Sequence, residues 1–163
     1  KDVGIVGAKL LYPDDSVQHA GVILGIGGVA GHSHKYFPGN SYGYFSRLIL
    51  PQQLSAVTGA CLLIKRSTYT GVGGLNDTNL SIAFNDVDLC LKVIETGLKV
   101  VWTPLAKLYH HESISRGSED SPAKQQRFAS EVQYMHERWP NALSRDPYYN
   151  LNLTLCREDF SHK

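Results

Sequence analysis

The sequence NDVDLCLKVIETGLKVVWTPLAKLYHH, residues 85–111, decides the fold that we expect for this chain. From Asp86 to Thr96 the apolar residues recur at spacings of three and four, which predicts a helix lying on a core. Asn85 is placed to cap this helix, and Gly97 to end it. The apolar stripe consists of Val87, Cys90, Leu91, Ile94 and Leu98.

The residues after the helix predict a strand that runs back along it. Residues 99–102 and 106–109 favour extended structure, and Thr103-Pro104 separates them because proline cannot donate to a strand ladder. A helix rises about 1.5 Å per residue and a strand about 3.3 Å, so the strand regains the length of the helix before His110. We therefore expect His110-His111 near the start of the helix. Strand alternation predicts that one of the two histidines faces the core or the cleft and that the other faces outward.

Two acidic residues open the helix, and they do not share a face. Residues two apart on a helix point about 200° away from each other, so only one of them can face a cleft. Asp88 can form a surface ion pair with Lys92 four residues on, whereas Asp86 has Cys90 at that position. The free backbone N–H groups of the first turn stabilise a carboxylate there, which makes Asp86 a candidate general base.

The residues before the helix add an apolar run and a glycine. Residues 56–64 form an apolar run that predicts a strand buried on both faces. Glycine at position 59, after Thr58, permits close approach of a ligand or another backbone. A short helix is predicted from Arg66 to Gly71.

The two ends of the chain extend this α/β pattern. Residues 2–12 and 17–24 predict strands joined by a turn at Pro13-Asp14-Asp15-Ser16. After Gly117 the composition changes to a polar linker, followed by a predicted helix over residues 123–138 that ends at Trp139-Pro140. Residues 141–163 show no period, so we divide the chain into a domain at 1–117 and a linker, helix and unassigned tail at 118–163.

Composition limits the classes of partner. The 163 residues carry sixteen basic and fifteen acidic side chains, a formal charge of +1, which gives no basis for nucleic-acid binding. The three cysteines are far apart and suit reduced thiols. We find neither a signal peptide nor an apolar run of membrane-spanning length, and we expect a cytoplasmic location, at the inner face of the membrane if the full-length protein makes that contact.

Two further patterns allow other functions. His32 and His34 have metal-ligand spacing, and with His110 and His111 they could form a four-histidine site of a metal hydrolase. The aromatic, glycine-rich segment 36–45 could stack on sugar rings or could anchor a loop to the core.

Taken together, TGACLLIKR, GVGGLN, the acid-opened helix and VVWTPLAKLYHHES resemble the bacterial family 2 glycosyltransferases. These are inverting enzymes with the GT-A, or nucleotide-diphospho-sugar transferase-like, fold. The resemblance covers residues 3–117 and is closest to members that build cell-surface polysaccharides. It implies an α/β fold whose mixed sheet, flanked by helices, is the acceptor-side half of a GT-A domain.

The resemblance also implies roles for individual residues. Asp86 takes the place of the catalytic base, and His110, with His111 close behind, takes the place of the histidine that holds a divalent cation, Mn²⁺ or Mg²⁺, on the donor diphosphate. Substrate-binding positions fall at Thr58, Gly59, Asn85 and Asp88. Asn85 departs from the family, which usually has Glu or Asp there.

The family's nucleotide-binding half, with its Asp-x-Asp motif, has no counterpart in these residues. We therefore expect the chain to be a fragment of a larger transferase that is inactive by itself. The implied partners are a nucleotide-sugar donor and a carbohydrate or lipid-linked carbohydrate acceptor. A non-catalytic carbohydrate-binding or assembly module on the same half-fold is the alternative function.

Overall fold

A computed structural model describes residues 2–111 and 121–163 of the chain. It has both strands and helices, as the sequence predicts: six strands come first, and the seventh lies between two pairs of helices. The strands are β1 Val3–Leu11, β2 Val17–His19, β3 Val22–Leu24, β4 Ala30–His32, β5 Gln52–Leu54, β6 Leu62–Ile64 and β7 Lys99–Tyr109. The helices are α1 Arg66–Gly71, α2 Asn85–Glu95, α3 Pro122–Arg138 and α4 Pro140–Ser144.

Strand β1 lies at the centre of a five-stranded mixed sheet. It pairs with β7 in parallel on one edge, and β5 continues the sheet beyond β7 in the antiparallel sense. Its other edge is shared, because β6 pairs with residues 5–7 and β2 pairs with residues 10–11, both antiparallel. Strands β3 and β4 form a separate two-stranded antiparallel sheet. The expected mixed sheet with flanking helices is confirmed.

Strand β7 contains the interruption that the sequence predicts at its proline. Thr103 pairs with Ala8, but the next residue of β1, Lys9, pairs with Lys107. The three residues between these partners therefore bulge out of the ladder, which is a position where proline is tolerated. The two predicted extended segments are one strand with a bulge, and this strand reaches Tyr109 directly before the histidine pair.

The prediction that residues 56–64 form one strand buried on both faces is wrong. Only Leu62–Ile64 is a strand, and Leu63 is 74% exposed at the sheet edge. Ala56 and Val57 are buried, and the carbonyl of Ala56 accepts a hydrogen bond from the N–H of Val22 in the other sheet. The apolar run therefore passes from the core to an edge strand, and residues 58–61 cross between them as a loop.

The segment at residues 17–24 also differs from the prediction, because it divides into two strands. The break falls at Gly21, which has a positive φ of 95°. A Cβ at this position would come within 2.0 Å of the Leu54 side chain, so only glycine fits both the conformation and the packing.

Helix α2 packs against β1 and β7, as its apolar stripe predicts. Val87, Cys90, Leu91 and Val93 are buried. The helix ends at Glu95, and Gly97 follows with the positive φ typical of a helix C-terminus. This packing sets the first turn of α2 at the end of the sheet where β7 finishes.

The C-terminal residues belong to the same structure. Helix α3 ends before Trp139-Pro140, as predicted, and the residues after it pack against the two-stranded sheet. Asp146 accepts hydrogen bonds from the N–H of Leu24 and the hydroxyl of Ser55. The second apolar cluster consists of Ile23, Ile26, Tyr149, Leu153 and Phe160. The predicted boundary at 117 and most of the polar linker lie outside the described residues.

Candidate functional site

An open cleft of about 740 Å³ lies where the first turn of α2, the end of β7 and the loop after Val57 meet. The small sheet and the loop before α2 close its other sides. The residues lining it that matter below are Tyr12, Gln18, His32, Thr58, Gly59, Phe84, Asn85, Asp86, His110 and His111. The prediction that the helix start and the histidine pair face one crevice is confirmed.

The Asp86 carboxylate is held by backbone groups on the wall of the cleft. Its Oδ2 accepts a hydrogen bond from the N–H of Gly59 at 2.7 Å, and its Oδ1 accepts one from the N–H of Val87 at 2.9 Å. A carboxylate has about four lone-pair sites, so two backbone bonds leave capacity for a ligand hydroxyl. A Cβ added at Gly59 would lie 3.3 Å from the Asp86 Cβ. Gly59 and Asp86, which the sequence singles out separately, are therefore in direct contact.

Thr58 lies beside Gly59 and contacts the buried His19, which in turn bonds to His32 of the cleft lining. Its N–H donates to Nε2 of the buried His19 at 3.3 Å. A neutral His19 then carries its proton on Nδ1 and donates it to Nδ1 of His32 at 2.9 Å. Burial lowers the pKa of His19 well below its usual range, which agrees with a neutral ring.

Asn85 shapes the cleft in a way that differs from the predicted helix cap. Its Oδ1 accepts from the N–H of Asn76 at 2.7 Å, and its Nδ2 donates to the carbonyl of Leu80 at 2.5 Å. The position before the helix is Phe84, which has a left-handed φ of 60° and makes no side-chain cap. Asn85 therefore folds the preceding loop onto α2 while its own position borders the cleft.

Asp88 lies on the opposite side of α2, and it is 1% exposed. Its Oδ1 accepts from the indole N–H of Trp139 at 2.9 Å, and its Oδ2 pairs with Lys92 at 2.9 Å. The ion pair with Lys92 is as predicted, but its carboxylate is buried and its ammonium group is half-buried rather than at the surface. This placement does not suit the predicted substrate contact of Asp88, and we assign the residue to the packing of α2 against α3.

His110 is held in a defined orientation by Gln18. Its Nδ1 donates to Oε1 of Gln18 at 2.7 Å, and Nε2 of Gln18 donates back to the His110 carbonyl at 3.2 Å. These bonds leave the His110 Nε2 as the ring's lone-pair nitrogen. His111 is more exposed, yet it lines the same cleft. The expected alternation of the two histidines is wrong because β7 ends at Tyr109, before either of them.

The four-histidine metal site is also wrong. His34 is buried away from the cleft, where its Nε2 accepts from the N–H of Tyr44 at 3.0 Å and its Nδ1 donates to the Ser33 hydroxyl. Burial, with smaller contributions from Arg47 and Lys9, lowers the pKa of His34 to about 4. Within residues 2–111 and 121–163, no group of three or more His, Cys, Asp or Glu side chains is arranged to hold a metal ion.

Two residues that support the cleft were missed by the sequence reasoning. Gln18 gives no local signal, because its partner His110 is 92 residues away. Glu131 of α3 is 1% exposed, and its carboxylate accepts from the N–H groups of Ile82 at 2.9 Å and Ala83 at 3.3 Å. The sequence does give one signal for Glu131. It is a carboxylate on the apolar side of the predicted helix, between Phe128, Val132 and Met135.

The part of the chain that the structure describes contains no helix long and apolar enough to cross a bilayer. No family model matches the chain, and no solved structure matches it.

Three relatives extend the comparison over most of the chain. The uncharacterized protein y4gI of Sinorhizobium fredii is 60% identical over 158 residues, and the O-antigen biosynthesis protein RfbC of Myxococcus xanthus is 37% identical over 159 residues. Each alignment covers 97% of this chain. An N-acetylglucosaminyl-diphospho-decaprenol L-rhamnosyltransferase of Mycobacterium tuberculosis is 29% identical over 123 residues, which is 70% of this chain. The chain spans 17%, 12% and 39% of these relatives' lengths, respectively.

Proposed function

We propose that the cleft is the acceptor side of a glycosyltransferase that moves a sugar from a nucleotide-sugar to an acceptor hydroxyl during polysaccharide synthesis. The observation that carries this proposal is that Asp86 and His110 line one cleft, each fixed by hydrogen bonds. The names of the Myxococcus and Mycobacterium relatives support the same class of activity. The acceptor is a carbohydrate or a lipid-linked carbohydrate.

In this proposal Asp86 acts as the general base. The acceptor hydroxyl donates a hydrogen bond to the carboxylate and transfers its proton as the oxygen attacks the anomeric carbon. The bond between that carbon and the nucleoside diphosphate breaks on the opposite face, so one displacement inverts the anomeric configuration. The hydrogen bond from the Gly59 N–H keeps the Asp86 carboxylate oriented toward the cleft. Less conformational entropy is therefore lost when the transition state forms.

His110 fits the role of a metal ligand through its hydrogen bond to Gln18. A side-chain carbonyl that accepts the proton of one ring nitrogen fixes the other nitrogen as a ligand, a common arrangement at metal centres. A divalent cation, Mn²⁺ or Mg²⁺, would stabilise the charge on the leaving diphosphate when it is bound. This chain would supply one or two histidine ligands to the cation. Phosphate oxygens and residues outside this chain would therefore complete its coordination.

We further propose that these residues form the acceptor-side half of a GT-A domain. The relatives are several times longer than the aligned region, so there is room in them for a nucleotide-binding half elsewhere. The mixed sheet flanked by α2 is compatible with such a half-domain. In that arrangement Thr58, Gly59 and Asn85 face the acceptor, and the diphosphate approaches from the side of His110.

The test is Mn²⁺-dependent binding and transfer by the complete natural protein with a panel of nucleotide-sugars. We expect donor binding that needs the nucleotide and the cation, and transfer to a glycan acceptor. His110→Ala should weaken cation-dependent donor binding by about ten- to a hundredfold, while His136→Ala, on the exposed side of α3, should leave it unchanged. Binding of free sugars without nucleotide dependence, together with no transfer, would contradict the proposal and favour a carbohydrate-binding module.

A further inference from the structure

A second cavity of about 480 Å³ lies outside the cleft described above. Its walls come from the turn after β1, the segment after the buried His34 and the part of β7 directly after its bulge. The polar groups around it are two carboxylates, a hydroxyl, a side-chain amide and an ammonium group, contributed by Asp14, Asp15, Ser16, Asn40 and Lys107. Such a mixture of hydrogen-bonding groups suits a ligand that carries many hydroxyls.

A pair of stacked tyrosines joins this cavity to the cleft. The rings of Tyr12 and Tyr36 are 5.3 Å apart between centroids and 11° from parallel. Tyr12 lines the cleft that contains Asp86, whereas Tyr36 lines the second cavity. The stacked pair therefore lies between the two sites, with one ring in the lining of each.

Tyr36 is held in place although 67% of it is exposed. Its φ of 65° is uncommon for a residue with a side chain, and it persists because neighbouring bonds fix the segment. The N–H of Tyr36 donates to the carbonyl of Val17 at 2.8 Å, and the N–H of Val17 donates to the carbonyl of Phe37 at 2.7 Å. A ligand that stacks on Tyr36 would not have to order the loop first, which lowers the entropic cost of binding.

Lys9 supports the same segment from beneath. Its side chain is buried, and its Nζ donates to the carbonyls of Gly39 at 2.8 Å and Leu48 at 3.3 Å. On the other wall, the N–H and hydroxyl of Ser16 donate to Oδ1 of Asp14 at 3.0 and 2.6 Å, and the Tyr109 hydroxyl donates to Asp15. Hydrogen bonds therefore fix both walls of the cavity.

We infer that the second cavity is a subsite for a sugar unit of the acceptor glycan, remote from the hydroxyl that reacts. The acceptor chain runs from Asp86 across the Tyr12–Tyr36 pair into the cavity. A pyranose ring presents an apolar C–H face to Tyr36 and its hydroxyls to Asn40 and the two carboxylates. The Lys35 Nζ lies 5.2 Å from the centroid of the Tyr36 ring, and together with Lys107 it balances the two carboxylates. This inference rests on the proposed function, because it names the part of the substrate that lies beyond the reacting group.

The experiment compares Tyr36→Ala with Tyr42→Ala in the complete natural protein. The two tyrosines are equally exposed, at 67%, but Tyr42 lines neither site. Acceptors are ladders of glucose, mannose and rhamnose oligomers of increasing length. We expect Tyr36→Ala to raise KM about three- to tenfold for the longer oligomers, without changing kcat or the KM of the shortest acceptor. Tyr42→Ala should behave as the unchanged protein does.

A second variant and a second readout keep the result decisive. Asn40→Ala should give the same dependence on acceptor length without altering a ring. Saturation-transfer NMR with the same oligomers reports binding even if no sugar is transferred, so transfer without dependence on length would overturn the subsite alone. Oligomer binding that needs Tyr36 in a protein without transferase activity would keep the sugar subsite and overturn the proposed function. No binding of any ladder at Tyr36 would overturn the inference.

Discussion

The two sides of the first turn of α2 each carry an aspartate, and the surroundings of the two carboxylates differ. On the open side, Asp86 borders the cleft and accepts hydrogen bonds from the backbone N–H groups of Gly59 and Val87. On the closed side, Asp88 is buried between the indole N–H of Trp139 and the ammonium group of Lys92. The residues are of the same type and two positions apart, so the partners that cover each side decide their roles.

The closed side also shows how the walls of the cleft are fixed. Glu131 binds the backbone of the loop before α2, just as Asp88 binds α3 through Trp139. Both carboxylates are buried and held by groups of this chain. Asp86 instead lines the open cleft, so of the two acids in the first turn of α2 it is the one that a substrate can reach.

Asp86→Asn tests the open side and should have the largest effect. Removing a general base typically costs about a hundred- to ten-thousandfold in rate, so transfer by the complete protein should fall by that amount. Donor binding should stay nearly intact, because the proposed donor contacts lie at His110. Initial rates and donor affinity are measured on the same preparation. Preserved turnover would remove Asp86 from its role.

Asp88→Ala tests the closed side through stability. Breaking a buried pair leaves charged and polar partners uncompensated, and the free energy of unfolding should fall by about 3–5 kcal/mol. Trp139→Phe, which removes one donor, should lower it by about 1–3 kcal/mol. Chemical denaturation gives both values.

Glu95→Ala is the matched control for the closed side, because Glu95 pairs with Arg138 across the same two helices on the exposed surface. We expect a loss of less than about 1 kcal/mol. An equal loss at positions 88 and 95 would contradict the distinction between a buried and an exposed acid.

His34 extends the comparison to pH. Its folded-state pKa of about 4 lies below the value near 6.5 of an unfolded chain, so the unfolded state binds the extra proton between these values. The free energy of unfolding should therefore decrease by about 3 kcal/mol as the pH falls from 6.5 to 4.

Urea denaturation across this range measures the slope, and His34→Gln should reduce it. The same substitution at the exposed His136 is the control. A slope that does not depend on His34 would show that this ring is not held neutral by burial.

Gly59→Ala should give the smallest effect. The added Cβ would sit 3.3 Å from the Asp86 Cβ, a tight contact that turns the carboxylate slightly without opening the core. Transfer should fall a few-fold, and the free energy of unfolding should change by less than about 1 kcal/mol. Gly71→Ala is the control, since its Cβ would meet nothing within 4 Å. Equal rates for the two variants would argue against close contact between Gly59 and the working carboxylate.

The sequence was sufficient to predict the features that depend on period and chain length. The stripe of α2, the interruption at Thr103-Pro104 and the return of β7 to the helix start all follow from local geometry. The mixed sheet agrees with the predicted strands on both sides of α2. These features place Asp86 and His110 in one cleft.

The partners of individual side chains could not be predicted, because they come from far along the chain. Trp139 is 51 residues from Asp88, and Gln18 is 92 residues from His110. The spacing of His32 and His34 does not predict their partners. His32 pairs with His19, and His34 is buried beside Tyr44. Likewise, the apolar run at 56–64 could not reveal where it leaves the core for the sheet edge.

The position of the acceptor hydroxyl relative to Asp86 tests the central claim most directly. A crystal structure of the complete protein with an acceptor oligosaccharide, a nucleoside diphosphate and Mn²⁺ would measure it. We predict that the reacting hydroxyl lies about 2.6–3.2 Å from an oxygen of the Asp86 carboxylate, with the diphosphate on the side of His110. An acceptor bound elsewhere, with the Asp86 carboxylate touching only Gly59 and Val87, would contradict it.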